Sequence, residues 1–194
     1  GLGTTTAAQN VGGIAGVGPT YVVGTANTES WNGTSWTEVN NLNKGRRNFD
    51  GTGTQTAGLV AGGYIDGPPA RLAGETELFN GTSWTESGDL GTARYNSCGA
   101  GTTTAALMTG GGPGYIGVAE EFTGAGQAVG AWSTGGTMNV ERDFTSGTGT
   151  QTSALVFGGL KPPGSTLMGE TESYDGTSWT EVADLNTARE DHGA

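Results

Sequence analysis

The sequence is poor in the residues that build reactive sites, with one cysteine, Cys98, and one histidine, His192, among 194 residues. A single cysteine cannot form an internal disulfide, and the two residues stand in different parts of the chain, so a zinc ligand set is not supported. Neither a calcium loop nor a Gly-x-x-x-x-Gly-Lys-Ser/Thr phosphate loop occurs. We therefore expect no metal, no cofactor and no enzyme activity.

Positive charge and long apolar runs are also scarce. Eight Lys and Arg stand against 19 Asp and Glu, which gives a net charge of −11. An acidic surface repels phosphate backbones, so we expect no nucleic-acid partner. No apolar stretch approaches the roughly 18 residues that a membrane span needs, so we expect no membrane insertion. The chain starts at Gly1 without a signal peptide, which predicts a processed, excised or partial chain.

Glycine and threonine dominate what is present, with 39 and 31 residues. Glycine and threonine favour turns and strands, and the poverty of Leu, Lys and Glu argues against a helical bundle. The hydrophobic content of 33% is low enough to raise disorder as an alternative, which the regular aromatic spacing below argues against. The composition predicts an all-β protein with a small core spread over many short strands.

An internal repeat of about 48 residues runs through the whole chain. The segment Glu29–Glu38 recurs at Glu77–Glu86 and Glu172–Glu181, and a degenerate copy begins at Glu121. Three further markers keep the same spacing. They are the tryptophans Trp36, Trp84, Trp132 and Trp179; the glycine pairs Gly12-Gly13, Gly62-Gly63, Gly110-Gly111 and Gly158-Gly159; and the arginines Arg46, Arg94, Arg142 and Arg189. Repeats of this length indicate stacked supersecondary units.

Each unit is predicted to form four strands. In the fourth copy we expect them at Arg142–Thr150, Ser153–Phe157, Glu170–Tyr174 and Trp179–Leu185. Asp175-Gly176 predicts a two-residue type I′ hairpin, since both central residues of that turn need positive φ. Four strands in 40–50 residues with a repeated Gly/aromatic signature are typical of a propeller blade.

The glycine pair after strand two, the aromatic ending strand three, the Trp starting strand four and the Arg before the next unit together resemble the Kelch repeat. The sequence motif Thr-Glu-x-aromatic-Asn/Asp-Gly-Thr-Ser-Trp-Thr-Glu is similar to the repeats of Kelch-like repeat proteins of marine bacteriophages. The resemblance implies a β-propeller of four Kelch-like four-stranded blades, either a complete four-bladed ring or part of a larger one. We expect one domain over 1–194, with repeats at about 1–46, 47–94, 95–142 and 143–189, and 190–194 completing the first blade beside residues 1–6. Two chains sharing an eight-bladed ring is a further alternative.

The recurring residues are expected to be structural. Large aromatics bury much apolar area, so we expect a packed core between blades. It comprises the four repeat tryptophans with Trp31, Phe79, Phe122 and Tyr174. The glycine pairs indicate close backbone approach. Glu29, Glu77 and Glu172 share one strand position, which predicts a repeated ion pair with the repeat arginines.

Function is expected on the face where the copies diverge, in the loops between strands two and three. Neutral drift of exposed loops is the simpler interpretation, but divergent loops on a rigid frame also describe a binding surface. The candidate binding residues are Tyr21, Tyr64, Arg71, Tyr115 and Lys161. The phage resemblance implies a non-enzymatic binding or structural module of a virion, located on the particle, with other virion subunits, further propeller blades or a host-surface glycan or protein as partners. The alternative is a non-viral, secreted or cytoplasmic Kelch protein-interaction propeller, and an enzyme fragment is a distant third.

Overall fold

The computed structural model describes residues 1–17, 22–66, 71–124, 129–163 and 166–191. All regular structure in these ranges is β-strand, and every strand pairing in them is antiparallel. Within the same ranges, no helix that would be long and apolar enough for a membrane crossing is present. The all-β prediction is confirmed.

The chain divides into two compact units, Gly1–Tyr95 and Asn96–Ala194. The first unit contains two four-stranded sheets, here called the first sheet (order β1-β2-β5-β6) and the second sheet (β13-β12-β9-β8). Smaller sheets pair β3 with β4 and join β11-β10-β7. The strands are β1 Leu2–Gly3, β2 Ala8–Val11, β3 Ile14–Val17, β4 Val22–Gly24, β5 Thr28–Trp31, β6 Trp36–Val39, β7 Arg46–Arg47, β8 Asp50–Thr54, β9 Ala57–Ala61, β10 Tyr64–Ile65, β11 Arg71–Leu72, β12 Thr76–Phe79 and β13 Trp84–Glu86.

The second unit repeats this plan with a third sheet (β14-β15-β16-β17) and a fourth sheet (β18-β19-β22-β23), and a small sheet pairs β20 with β21. The third sheet has the longest strands, as its degenerate sequence copy lacks the short turn of the others. The strands are β14 Cys98–Gly101, β15 Ala105–Thr109, β16 Ile116–Thr123, β17 Ala131–Arg142, β18 Ser146–Thr150, β19 Ser153–Phe157, β20 Leu160–Lys161, β21 Thr166–Leu167, β22 Thr171–Tyr174 and β23 Trp179–Val182.

The strands of the fourth copy lie close to their predicted positions. The third strand begins one residue later than predicted, at Thr171, and the fourth ends at Val182 rather than Leu185. Two further differences have a visible cause. The first strand begins at Ser146 rather than Arg142, because Phe144 adopts a left-handed φ of 53° that interrupts the extended chain. The hairpin after Tyr174 is a four-residue loop and not a two-residue type I′ turn, since Tyr174 pairs with Trp179. In that loop the Asp175 carboxylate accepts hydrogen bonds from two backbone N–H groups, at 2.8 Å each, and so caps the longer connection.

The first sheet is built from the first sequence repeat. All four of its strands come from residues 2–39, where β1 already forms the edge beside β2. Glu190 and Asp191 lie outside any strand, and residues 192–194, including His192, lie outside the described residues. The expectation that 190–194 complete the first blade stays a prediction, because three of those five residues lie outside the described ranges.

Each unit has its own core between its two large sheets. In the first unit, Trp84 and Phe79 of the second sheet pack with Leu42 and Val60, and Val11 and Val39 of the first sheet lie against them. In the second unit the cluster comprises Cys98, Ala100, Leu107, Ala119, Met138, Ala154, Val156, Tyr174 and Trp179. Glycine lets the sheets approach closely, because a Cβ on Gly58 would lie 2.7 Å from the Leu2 side chain of the first sheet.

Candidate functional site

Each glycine pair is joined to the end of its own repeat by a recurring backbone hydrogen bond. Both members of every pair have positive φ, between 58° and 101°, a region that favours glycine. The N–H of the second glycine donates to the carbonyl of the arginine that ends the same repeat, at 2.7–2.9 Å. The pairs are Gly13–Arg46, Gly63–Arg94, Gly111–Arg142 and Gly159–Arg189. The bond therefore joins the end of strand two to the end of the same repeat.

The repeat arginines are not equivalent in their surroundings. Arg46, Arg94 and Arg142 are fully buried, whereas Arg189 is exposed. Arg46 Nη2 lies 2.7 Å from Glu77 Oε1, and Arg142 Nη2 lies 2.6 Å from Glu172 Oε1. Glu29, at the same strand position, is exposed and has no ion pair among the described residues.

The repeat tryptophans differ in the same way. Trp84 and Trp179 are 5% and 7% exposed, but Trp36 is 49% exposed. Trp132 and Trp31 are half-buried, whereas Phe79, Phe122 and Tyr174 are buried. The expectation that all four tryptophans are core therefore does not hold for Trp36, because no described residue covers its outer side to the degree that the first sheet covers Trp84.

On the divergent-loop side of the first unit, Tyr64 lies in a defined cluster. Tyr64 on β10 is paired in register with Arg47 on β7, and the Arg47 guanidinium carbon lies 4.8 Å from the centre of the Tyr64 ring. The ring of Tyr95 lies 4.8 Å from that of Tyr64, tilted by 40°. A cation and a second aromatic ring thus both contact one half-buried tyrosine. We call Arg47, Tyr64, Asp66 and Tyr95 the Tyr64 cluster.

Asp66 fixes the position of Arg47 in this cluster. Its two carboxylate oxygens accept hydrogen bonds from Arg47 Nε and Nη2 at 3.1 and 3.2 Å. Asp66 Oδ2 also accepts the backbone N–H of Gly24 at 2.6 Å. A two-pronged Arg–carboxylate pair has little freedom to rotate, so the guanidinium stays over the tyrosine ring. The cluster therefore offers a rigid aromatic surface next to paired charges.

Arg71 is adjacent to the cluster but is engaged by Glu75. On β11 it pairs in register with Ile65, and its Nη1 donates to Glu75 Oε2 at 3.0 Å, while Nη2 contacts the other oxygen. Lys44 Nζ lies 3.5 Å from Glu75 Oε1 and 3.3 Å from Glu86 Oε1. The hydrogen bonds from Arg71 lower the pKa of the Glu75 carboxyl to about 2. Arg71, Glu75, Lys44 and Glu86 therefore form a row of alternating positive and negative charges, with Arg71 at one end.

The two candidates of the second unit have separate surroundings. Lys161 on β20 forms an ion pair with Glu170, which lowers the pKa of that carboxyl. Tyr115 is half-buried and has a left-handed φ of 61°, just before β16. Tyr21 lies outside the described residues. Of the five candidates, the structure brings together Tyr64 and Arg71, on neighbouring strands of one small sheet.

Sequence reasoning missed Arg47, Asp66 and Tyr95. A signal for two of them was present, because the position after the repeat arginine differs in every copy. It is Arg47, Tyr95, Asp143 or Glu190. For metals, no group of three or more His, Cys, Asp or Glu side chains able to hold an ion occurs in the described part of the chain.

Comparison with known proteins bears on the fold. No protein-family model matches the chain. No curated protein matches it either. Among solved structures, the one titled "Structure of YjhT" is similar with a TM-score of 0.79 at 11% identity, over 95% of this chain and 70% of that chain. At this identity the likeness concerns the fold alone, and the repeated four-stranded sheets are consistent with a β-propeller.

Proposed function

We propose that the chain is a non-enzymatic binding module built from four Kelch-like blades, and that it recognises its partner through the Tyr64 cluster. The four large sheets are the four blades, each made by one sequence repeat. The virion role remains part of the proposal through the resemblance of the repeats to phage proteins. In that role the module decorates a capsid or tail and contacts a host-surface glycan.

The observation that carries the proposal is the fixed stacking of Arg47 and Tyr95 on Tyr64. The two-pronged pair with Asp66 holds the Arg47 guanidinium over the half-buried ring of Tyr64 on the short strand β10. Tyrosine gives large contact area at low entropic cost, and its hydroxyl adds a hydrogen bond. A ring held in place by its neighbours loses little freedom on binding, which favours affinity.

The charges around the cluster support a polar ligand over an apolar one. Arg47 is paired with Asp66, and Arg71 is paired with Glu75, so local charge is balanced within a chain of net charge −11. A neutral or acidic sugar meets less repulsion here than elsewhere on the acidic surface. Sugar rings also present apolar C–H faces that stack on tyrosine. Glycans are therefore the proposed ligand class.

The experiment measures binding of the purified chain to an array of immobilised glycans that includes neutral and sialylated sugars. We expect Tyr64→Ala to reduce binding at least about tenfold, since one lost stacking contact of about 1.4 kcal/mol accounts for that factor. Tyr64→Phe keeps the ring and is expected to lose less. Val129→Ala, at an exposed apolar residue of the second unit that is not among the candidates, is the control and leaves binding unchanged.

Undiminished binding by Tyr64→Ala contradicts the proposed site. Asn32 and Asn80 hold the position of Asp175 in the hairpin loops between β5 and β6 and between β12 and β13. Loss of binding on changing these two residues instead places the site on the hairpin loops. The virion role is tested separately, by mass spectrometry of virus particles purified from a sample that contains the gene of this chain. Peptides of this chain in the particles support the role, whereas peptides found only in cell fractions support the non-viral interaction propeller.

A further inference from the structure

Two of the hairpin loops begin with an Asn-Gly pair, a dipeptide that occurs nowhere else in the sequence. The pairs are Asn32-Gly33, between β5 and β6, and Asn80-Gly81, between β12 and β13. The fourth repeat has Asp175-Gly176 in the same place, and Thr-Ser-Trp-Thr-Glu follows in all three. The fourth repeat thus carries the carboxylate that hydrolysis of the asparagine amide would give in the other two.

The loop backbone is the same whether its first residue is asparagine or aspartate. The side-chain Oδ1 accepts the backbone N–H groups two and three residues later, at 2.9 Å each for Asn32 and Asn80 and at 2.8 Å each for Asp175. The glycine that follows has a φ of 92°, 94° or 91°, and the backbone hydrogen bond that closes the loop measures 3.2–3.3 Å in all three. A carboxylate therefore fits the loops of the first and second repeats without a change of conformation.

The two N–H groups also stabilise negative charge on the oxygen that they hold. They lower the pKa of the Asp175 carboxyl, the N–H of Ser178 having the larger effect and that of Thr177 the next. Hydrogen bonds to the charged form of a carboxyl have this effect. The equivalent N–H groups hold Oδ1 of Asn32 and of Asn80. Each loop is therefore a small oxyanion-binding site around Cγ of its own first residue.

The reacting groups of these two loops are accessible. Asn32 and Asn80 are exposed, so water reaches both side chains. The next residue is glycine, which has no side chain to obstruct the approach of its own nitrogen to the neighbouring Cγ. A nucleophile in the same chain needs no encounter from solution, which favours attack within the loop.

We propose that Asn32 and Asn80 are sites of covalent self-modification, in which each side-chain amide becomes a carboxylate through a cyclic imide formed with the next glycine. The two N–H donors of the loop hold the charge that develops on Oδ1 and direct the product to normal aspartate. Each conversion adds one negative charge to a chain whose net charge is −11.

The first step forms the ring and releases ammonia. The backbone nitrogen of Gly33 gives its proton to water and bonds to Asn32 Cγ, while the charge on Oδ1 is held by the loop donors. The bond between Cγ and Nδ2 then breaks, and Nδ2 takes up a proton from water and leaves as ammonia. Gly81 and Asn80 react in the same way. The product is a succinimide ring, and nothing is oxidised or reduced.

The second step opens the ring with water. Attack at Cγ breaks the bond between Cγ and the glycine nitrogen, which regains its proton, and gives aspartate. Attack at the backbone carbonyl carbon breaks the other bond of that nitrogen and gives isoaspartate, whose main chain runs through Cγ. The loop donors contact Oδ1, which is the oxygen on Cγ, so they stabilise the charge that develops in the first of these routes. The folded loop therefore selects aspartate.

The test is incubation of the purified, folded chain at mildly alkaline pH, followed by proteolysis and mass spectrometry. We expect the peptides that contain Asn32 and Asn80 to gain the mass of an amide-to-acid conversion. Hydroxylamine added during the incubation is expected to trap the ring as its hydroxamate. Asn186 is the internal control, because it is exposed but precedes a threonine, and we expect it to convert at least about tenfold more slowly.

The product ratio tests the role of the loop. Fragmentation spectra distinguish aspartate from isoaspartate. We expect the ratio of aspartate to isoaspartate to be several-fold higher in the folded chain than in urea, where no N–H group is held against Oδ1. The variant Asn32→Asp/Asn80→Asp is the product standard. It is expected to unfold at the same urea concentration as wild type and to show no mass gain in these two peptides.

Four results would each overturn the proposal. The first is conversion of Asn32 and Asn80 that is no faster than that of Asn186, and the second is conversion that occurs in urea but not in the folded chain. The third is an equal product ratio in the two states, which removes the directing role of the loop donors. The fourth is a loss of stability in the aspartate variant, which shows that the loops do not accept a carboxylate.

Discussion

Arg142 and Glu172 form an ion pair that is sealed from solvent, with side chains 0% and 1% exposed and 2.6 Å between Nη2 and Oε1. Every oxygen of the Glu172 carboxylate is held, since Asn139 donates to Oε2 and the N–H of Val140 donates to Oε1. A buried ion pair with all its groups hydrogen-bonded fixes the relative position of the two segments more than it adds net stability. Removing one partner, however, leaves a buried charge without a counter-charge.

Arg142→Ala is therefore expected to lower the free energy of unfolding by about 3–5 kcal/mol. Arg189→Ala removes the same residue type at the same repeat position and is expected to cost less than about 0.5 kcal/mol, because the side chain is exposed. Urea denaturation of the purified chain measures both. Equal losses would contradict the difference in burial.

Trp36 and Trp84 hold the same position in two copies of the repeated ten-residue segment, and the variants Trp36→Ala and Trp84→Ala compare them. Trp84 is 5% exposed and packs between the two large sheets of its unit, so its removal is expected to cost about 3–5 kcal/mol. Trp36 is 49% exposed, and we expect a distinctly smaller loss for its removal. Thermal and urea unfolding followed by far-UV circular dichroism provide the measurement.

The glutamine of the hairpin between β18 and β19 joins two sheets. Gln151 Nε2 donates to the carbonyls of Phe122 and Ala106 at 2.8 and 3.2 Å, and Gln55 makes the equivalent bonds to Trp31 and Ala8. Gln151→Ala is expected to lower the free energy of unfolding by about 1–2 kcal/mol.

Gln151→Glu has nearly the same shape but turns the donor into an acceptor facing two carbonyls. We expect a larger loss than for the alanine variant at pH 7, and a smaller difference at acid pH, where the new carboxyl is protonated. A glutamate variant as stable as wild type would show that the side chain leaves this position in solution.

Gly147 lies where the third and fourth sheets approach each other. A Cβ there would lie 2.9 Å from Cys98 Sγ and 3.1 Å from the carbonyl oxygen of Leu155. Gly147→Ala is expected to cost about 1–3 kcal/mol by overpacking. Combining it with Cys98→Ala removes one of the two clashes, so the combined loss is expected to be smaller than the sum. Gly16→Ala, where a Cβ meets nothing within 4 Å, is the control.

The carboxyl of Glu75 provides a pH-dependent test. Its pKa is about 2 in the folded chain against an ordinary value of 4.5, chiefly because Arg71 donates hydrogen bonds to it. Since the folded-state pKa is the lower one, the stabilisation is present above about pH 4.5 and is lost as the pH falls towards 2. Arg71→Ala is expected to raise this pKa towards 4.5, as followed by carbon NMR of the carboxyl.

Lys44→Ala is the comparison for that titration. Lys44 Nζ is 3.5 Å from Glu75, and its side chain is 41% exposed, so solvent screens it and we expect a smaller rise in the pKa of Glu75. A rise as large as that in Arg71→Ala would assign the low pKa to the lysine instead.

Most of the local structure was predictable because it depends on neighbouring residues in the chain. The second strand of the fourth copy, Ser153–Phe157, agrees at both ends, since a polar turn precedes it and a glycine pair follows it. The partnership of Glu77 with a repeat arginine also followed from spacing. In contrast, the hairpin prediction failed because the Asp175 side chain supplies backbone hydrogen-bond partners that a dipeptide pattern does not encode.

The candidate site was predictable only in part. The divergence of the loops pointed to Tyr64 and Arg71, whereas the Tyr64 cluster joins residues 47, 64, 66 and 95 through pairing of short strands and through side-chain contacts. Such contacts depend on the conformation of the loops that connect the strands, and the periodicity of the sequence does not predict that conformation.

The repeat, its strands and the positive-φ glycines follow from the amino-acid order, because turn geometry and side-chain alternation act over a few residues. Burial does not follow from it, since the same residue in the same motif has different surroundings at different places. Trp36 and Trp84, or Arg189 and Arg142, are alike in sequence and differ in exposure. The difference arises because burial requires a neighbouring sheet to exclude water from a side chain, and that neighbour is supplied by residues far along the chain, as Glu172 is for Arg142.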